Sequence, residues 1–109
     1  MKSDEVFVRH MLDAISELQA MLGGLTYTEF EQDAIRVHAS VRLLEIVGEA
    51  ANKLSDEYRK ANVTIPFADI IGMRNKLIHQ YFEVDLEVLW TVYEEDLQSL
   101  EEALKNSLR

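Results

Sequence analysis

Apolar residues recur along this chain at helical spacing in four stretches, separated by glycine, proline or capping residues. In the first, about residues 4–22, Phe7, Met11, Ile15, Leu18 and Leu22 form one face, and Gly23-Gly24 is a natural stop. The second is predicted from about Thr28 to Leu54. Thr28 and Glu31 have capping-box spacing, and Phe30, Ala34, Val37, Val41, Leu44, Gly48 and Ala51 trace one stripe. Residues 55–65 read as the longest connection, with Val63-Thr64-Ile65 too short to build a sheet. The third helix starts near Pro66, which suits a first helical position, and runs to Tyr81 or Phe82. The fourth begins after Asp85, a good N-cap, with Leu86, Leu89, Trp90, Tyr93, Leu97, Leu100, Leu104 and Leu108 on its apolar face. No segment alternates in strand fashion for long. The pattern predicts an all-α fold, an antiparallel four- to five-helix bundle in a single domain over residues 1–109.

Polar residues interrupt this pattern in two places. On an ideal helix Ile70, Leu77, Ile78 and Tyr81 all fall within roughly 60° of Arg74, which puts a guanidinium in the apolar stripe. A charge there is costly unless paired. On the second helix, His38, Arg42, Glu45, Glu49 and Asn52 share one flank beside Gly48. A glycine in mid-helix costs about 1 kcal/mol relative to alanine, so it makes sense where another helix packs closely. The third helix is therefore expected to cross the second near Gly48, with Arg74 paired to Glu45 or Glu49. Asn75 and His79, one turn apart, are expected to hydrogen-bond, fixing the imidazole's orientation and tautomer.

The net charge of −9 argues against a generic nucleic-acid binder. Its distribution changes that picture. Residues 1–35 carry −5, residues 36–82 carry +2 and residues 83–109 carry −6. The one net-positive third holds Arg74 and His79: the distribution reads either as solvated helix faces, the better account of the acidic tail, or as a local phosphate site on a body that repels RNA at long range. The absence of cysteine excludes disulfides and thiolate metal sites and fits a reducing cytoplasm. No apolar run is long enough to span a bilayer, and the N-terminus carries Asp4 and Glu5 rather than a signal-peptide pattern. A chain of this size gains much from oligomerisation.

Other chemistries find less support. His38, His79, Glu45 and Glu49 lack the His-x-x-x-His or Glu-x-x-His spacing of a helical metal site, so no metal and no cofactor is expected. No Ser–His motif for nucleophilic catalysis is present. Trp90 and Tyr93 lie on the leucine stripe and read as core or interface rather than base-stacking platforms. Taken alone, Arg74 and His79 fit a buried ion-pair residue and a surface histidine better than a catalytic pair.

The wider pattern adds to this. Arg74, Asn75, His79 and Tyr81 match the Arg-x-x-x-x-His-x-Tyr motif of HepT-like toxins of the HEPN superfamily of helical ribonucleases. Leu44-Glu45-Ile46-Val47-Gly48-Glu49-Ala50 resembles the family's Gly-Glu-Ala helix. Ile65-Pro66-Phe67 followed by Ile71-Gly72-Met73-Arg74-Asn75 resembles the approach to its motif helix, with Phe67 where tryptophan is expected. Val84-Asp85 and Trp90 extend the likeness to nearly the whole chain.

The resemblance implies a metal-independent endoribonuclease, the toxin of a type VII-like toxin–antitoxin pair. Its partner would be an MNT-type minimal nucleotidyltransferase that silences it by transferring AMP to Tyr81. It also implies a homodimer in which two Arg/His motifs share one cleft. RNA carries its own nucleophile, the 2′-OH. Histidine ordinarily titrates near about pH 6.5, so a neutral His79 suits the general base, and Arg74 suits the phosphate. Asn75, Lys76, Glu45 and Glu49 are the supporting residues. The alternative is a non-catalytic bundle that binds a nucleotidyltransferase or nucleotide through the same motif. RNA cleavage by the purified protein, and its loss in His79→Ala, separates the two.

Overall fold

The computed structural model describes residues 2–80 and 83–109. Helix α1 (Lys2–Leu22) packs along α3 (Ala34–Asn52), and the two run antiparallel. At one end of the pair the Arg36 Nε donates to the Met21 carbonyl at 3.2 Å. At the other, the Asp4 carboxylate accepts from the backbone N–H of Ser55 at 2.8 Å and from its hydroxyl at 2.7 Å. Val8, Met11, Ile15, Leu18 and Leu22 of α1 meet Val37, Val41, Leu44 and Val47 of α3 in the core. Leu89, Leu97 and Leu104 close that core from the C-terminal helices. The result is an all-α bundle, as the periodicity predicts.

The predicted long second helix is two helices. A short α2 (Tyr27–Glu31) ends at Gln32, and α3 starts after Asp33, whose carboxylate accepts from the Arg36 N–H at 3.0 Å. The capping box lies at Thr26 and Glu29 rather than at Thr28 and Glu31. Asp33 offers the backbone a local cap that competes with helix continuation. The break spans two residues, and Ala34, expected on the apolar stripe, is exposed; the buried face of α3 begins at Val37. The connection over residues 55–65 also holds a helix, α4 (Asp56–Ala61), capped by Ser55.

The predicted third helix differs most. It starts after Pro66 as α5 (Phe67–Ile71), breaks at Gly72, and resumes as α6 (Met73–Leu77). The chain then turns extended at Ile78, and a strand, β1 (Ile78–Gln80), pairs antiparallel with β2 (Glu83–Val84). Helix α7 (Leu86–Thr91) is capped by Asp85 as expected. It runs through a π-helical turn over Val92–Asp96 into α8 (Leu97–Ser107).

Candidate active site

Gly48 sets the geometry. A Cβ built there would lie 3.1 Å from the Ile70 carbonyl oxygen and 3.6 Å from that of Ile71, so α5 crosses α3 backbone to side-chain-free backbone. This is the close crossing that the mid-helix glycine predicts. It carries α6 alongside the acidic flank of α3, and the Arg74 Nε donates to Glu45 Oε2 at 2.7 Å. Glu49 is instead paired with Arg42 at 3.2 Å. Glu45, Glu49, Asn52 and Arg74 surround a shallow pocket of about 160 Å³ over Gly48.

Arg74 is not a core residue. Its side chain is 58% exposed, and that of Glu45 21%. The helical wheel misplaces it because the helix stops at Leu77. Burial falls instead on Ile70, Met73 and Leu77. Among the described residues Glu45 meets the guanidinium through Nε, and the terminal nitrogens make no further hydrogen bond.

His79 lies on β1, off the helix, so Asn75 is not one turn below it and the expected Asn75–His79 bond does not form. Ile78 pairs with Val84 and Gln80 with Glu83. Three residues thus face two, and His79 is the extra, bulged one. Bulges of this kind re-aim side chains. The partner that the sequence reading missed is Asp85: its Oδ2 lies 3.2 Å from His79 Nε2. The other oxygen, Oδ1, accepts from the Val88 N–H at 3.2 Å, and the Asp85 N–H donates to the Leu77 carbonyl at 2.7 Å. The Val88 amide, followed by the His79 side chain, holds the Asp85 carboxyl below the usual carboxylate range against a smaller opposing desolvation. The sequence signal was an acid just past a histidine-bearing hairpin, visible only once the hairpin is known.

Lys76 reaches toward Asp69 at 3.7 Å and lines a separate apolar groove of about 390 Å³ between α5–α6 and α8. Asn75 is exposed. Tyr81 lies outside the described residues. Trp90 packs against Phe30 and Tyr93, each at a ring separation of 5.1 Å, in keeping with a packing role. Among the described residues no three His, Asp or Glu side chains converge in a group that could hold a metal ion, and no helix is long and apolar enough to cross a membrane.

A guanidinium tethered to a helical glutamate, with an imidazole just beyond the end of its helix, is accompanied by a match along the chain. The profile of the HepT-like ribonucleases covers residues 11–107. The chain belongs to the HepT-like ribonuclease family. Over its full length it is 34% identical to a protein of Caldanaerobacter subterraneus subsp. tengcongensis provisionally named an RNase, spanning 97% of that protein. It is 32% identical to the "Probable ribonuclease HepT" of Thermococcus cleftensis, over 91% of this chain and 90% of that one. A provisionally named RNase of Methanocaldococcus jannaschii is 28% identical over 93% of each chain. No solved structure matches the chain significantly. This HepT-like protein is thus a ribonuclease of the HEPN type, and Arg74, Asn75 and His79 stand on the segment the family profile covers.

Proposed function

We propose that this HepT-like protein is a metal-independent endoribonuclease toxin whose reaction is carried by Arg74 and His79. The observation that carries the reading is the state of Arg74: half-exposed and, among the described residues, held by Glu45 at Nε alone, with its terminal nitrogens open to a phosphate. The His79 imidazole is likewise 54% exposed and tethered at one nitrogen.

In the reaction, His79 takes the proton of an RNA 2′-OH and the oxygen attacks the adjacent phosphorus. The O2′–P bond forms and the P–O5′ bond breaks, leaving a 2′,3′-cyclic phosphate and a 5′-OH. Arg74 donates to the non-bridging oxygens as their charge grows. The departing O5′ takes a proton from the His79 of a second copy, in a homodimer built around α5–α6. Both side chains are open enough for such sharing. Asn75 and Lys76 contact the phosphate backbone.

The toxin is silenced by a nucleotidyltransferase antitoxin of the MNT type, which places AMP on Tyr81. The added anion competes with RNA phosphate for the Arg74 guanidinium and repels RNA. The test is cleavage of a labelled RNA in EDTA. Wild type should cleave and yield the cyclic phosphate, while His79→Ala should lose about 10²–10⁴ in rate with its helicity intact. Activity that EDTA abolishes and a divalent ion restores would overturn the metal-free mechanism.

A further inference from the structure

We propose that Asp85 is the positioning residue of His79: it holds the ring at Nε2 and thereby assigns proton transfer to Nδ1. The proposal rests on His79 being the general base, and it adds which nitrogen does the work and what fixes it.

The geometry gives Asp85 three separate bonds. Its N–H donates to the Leu77 carbonyl, joining the end of α6 to the start of α7 across the base of the hairpin. Its Oδ1 caps α7 at Val88, and its Oδ2 faces His79 Nε2. The residue is thus anchored through its own N–H and through Oδ1 before Oδ2 meets the imidazole. On the other partner, the bulge at His79 supplies the extra residue that turns the ring toward α7.

The consequence for the proton is a matter of donor and acceptor inventory. An ionised carboxylate accepts hydrogen bonds and donates none. Facing it, Nε2 must carry its proton whether the ring is neutral or cationic. The lone pair of the neutral ring then lies at Nδ1, which among the described residues has no partner and is the atom left to meet a 2′-OH. The Val88 amide keeps Asp85 ionised well into acid.

Asp85→Asn separates this role from capping, because asparagine caps helices about as well as aspartate. With Oδ1 still on the Val88 amide, the new NH₂ occupies the place of Oδ2 and donates to Nε2. That reverses the tautomer: Nδ1 now carries the proton and no base is presented. Asp85→Ser also keeps the cap but is too short to reach the ring.

The experiment pairs ¹⁵N NMR of histidine-labelled protein with RNA cleavage kinetics. Wild type should show a pyrrole-type Nε2 and a pyridine-type Nδ1, and Asp85→Asn should exchange the two. In kinetics kcat should fall roughly 10- to 100-fold in both variants, the cost seen when a metal-bound histidine loses the hydrogen-bond partner of its other nitrogen. KM and helicity should change little. A pyridine-type Nε2 in wild type, or an unchanged tautomer in Asp85→Asn, overturns the proposal whatever the activity. Full kcat in both variants alongside an inactive His79→Ala overturns it too, and leaves the ribonuclease reading standing. If His79→Ala stays active, the ribonuclease reading fails instead, and the NMR arm still decides how the ring is held.

Discussion

Replacing Arg74 by alanine should separate stability from activity by a wide margin. The ion pair with Glu45 is well made at 2.7 Å, but the arginine is 58% exposed. Double-mutant cycles on pairs of that kind give about 0.2–1 kcal/mol. Glu45, left behind, is 21% exposed and remains within reach of water, so it does not become an uncompensated buried charge. Alanine is at least as good a helix former as arginine, so α6 itself loses nothing. The whole stability cost should therefore stay within about 1 kcal/mol. That corresponds to roughly 4–8 °C of Tm at most for a chain of about 100 residues.

Against this stands the loss of a preorganised cation at the developing phosphorane charge, worth about 10²–10³ in rate. The assay is single-turnover cleavage of a fluorogenic RNA beside a thermal melt followed by circular dichroism. Arg74→Lys should recover only part of the rate, since an ammonium cannot bond Glu45 and grip a phosphate in the same planar geometry. Cleavage within about threefold of wild type in Arg74→Ala would refute the catalytic assignment. A stability loss above about 3 kcal/mol would refute the exposed-pair argument, because it needs the buried charge that the sequence periodicity suggests.

Three further outcomes are expected. Asp4 is buried, and its carboxyl is held low chiefly by the Ser55 amide against the opposing effect of burial. Its folded value lies below its unfolded one. The stabilisation is therefore fully present above roughly pH 4 and is lost as pH falls through the folded value. Asp4→Asn should cost about 1–3 kcal/mol at pH 7 and progressively less in acid, read as converging urea midpoints. Gly48→Leu should drive α5 from α3 and cost at least about 1–3 kcal/mol in a denaturant melt, taking cleavage down with it as Arg74 leaves Glu45. Tyr81→Phe should keep cleaving RNA in the presence of the nucleotidyltransferase and ATP. Intact-mass spectrometry should show added AMP on wild type and none on this variant; AMP on Tyr58 or Tyr93 would move the acceptor.

Local patterning was enough for the all-α bundle, because each core-facing stripe is a local repeat that only a helix can bury on one side. It determined the starts of α5 and α7, where Pro66 and Asp85 act on their own backbone. The crossing at Gly48 was also legible, since a residue without a side chain in mid-helix is explained by a neighbour. The resemblance to a HepT-like ribonuclease added the reaction, which periodicity cannot supply.

Tertiary structure alone decided how the motif is presented. Extending the third helix to Tyr81 put Arg74 in the core and Asn75 beneath His79, and both placements fail at Leu77. There the chain leaves the helix because a second strand and the Asp85 amide supply hydrogen-bond partners from later in the sequence. The choice of Glu45 over Glu49 for Arg74 follows from where the two helices cross, with Arg42 taking the other glutamate. The pairing of His79 with Asp85 depends on a bulge and a hairpin too short to leave an alternating pattern. Helix propensity acts over a single turn and is visible residue by residue. A hydrogen bond across a turn of chain is not, and the orientation of His79 rests on such a bond.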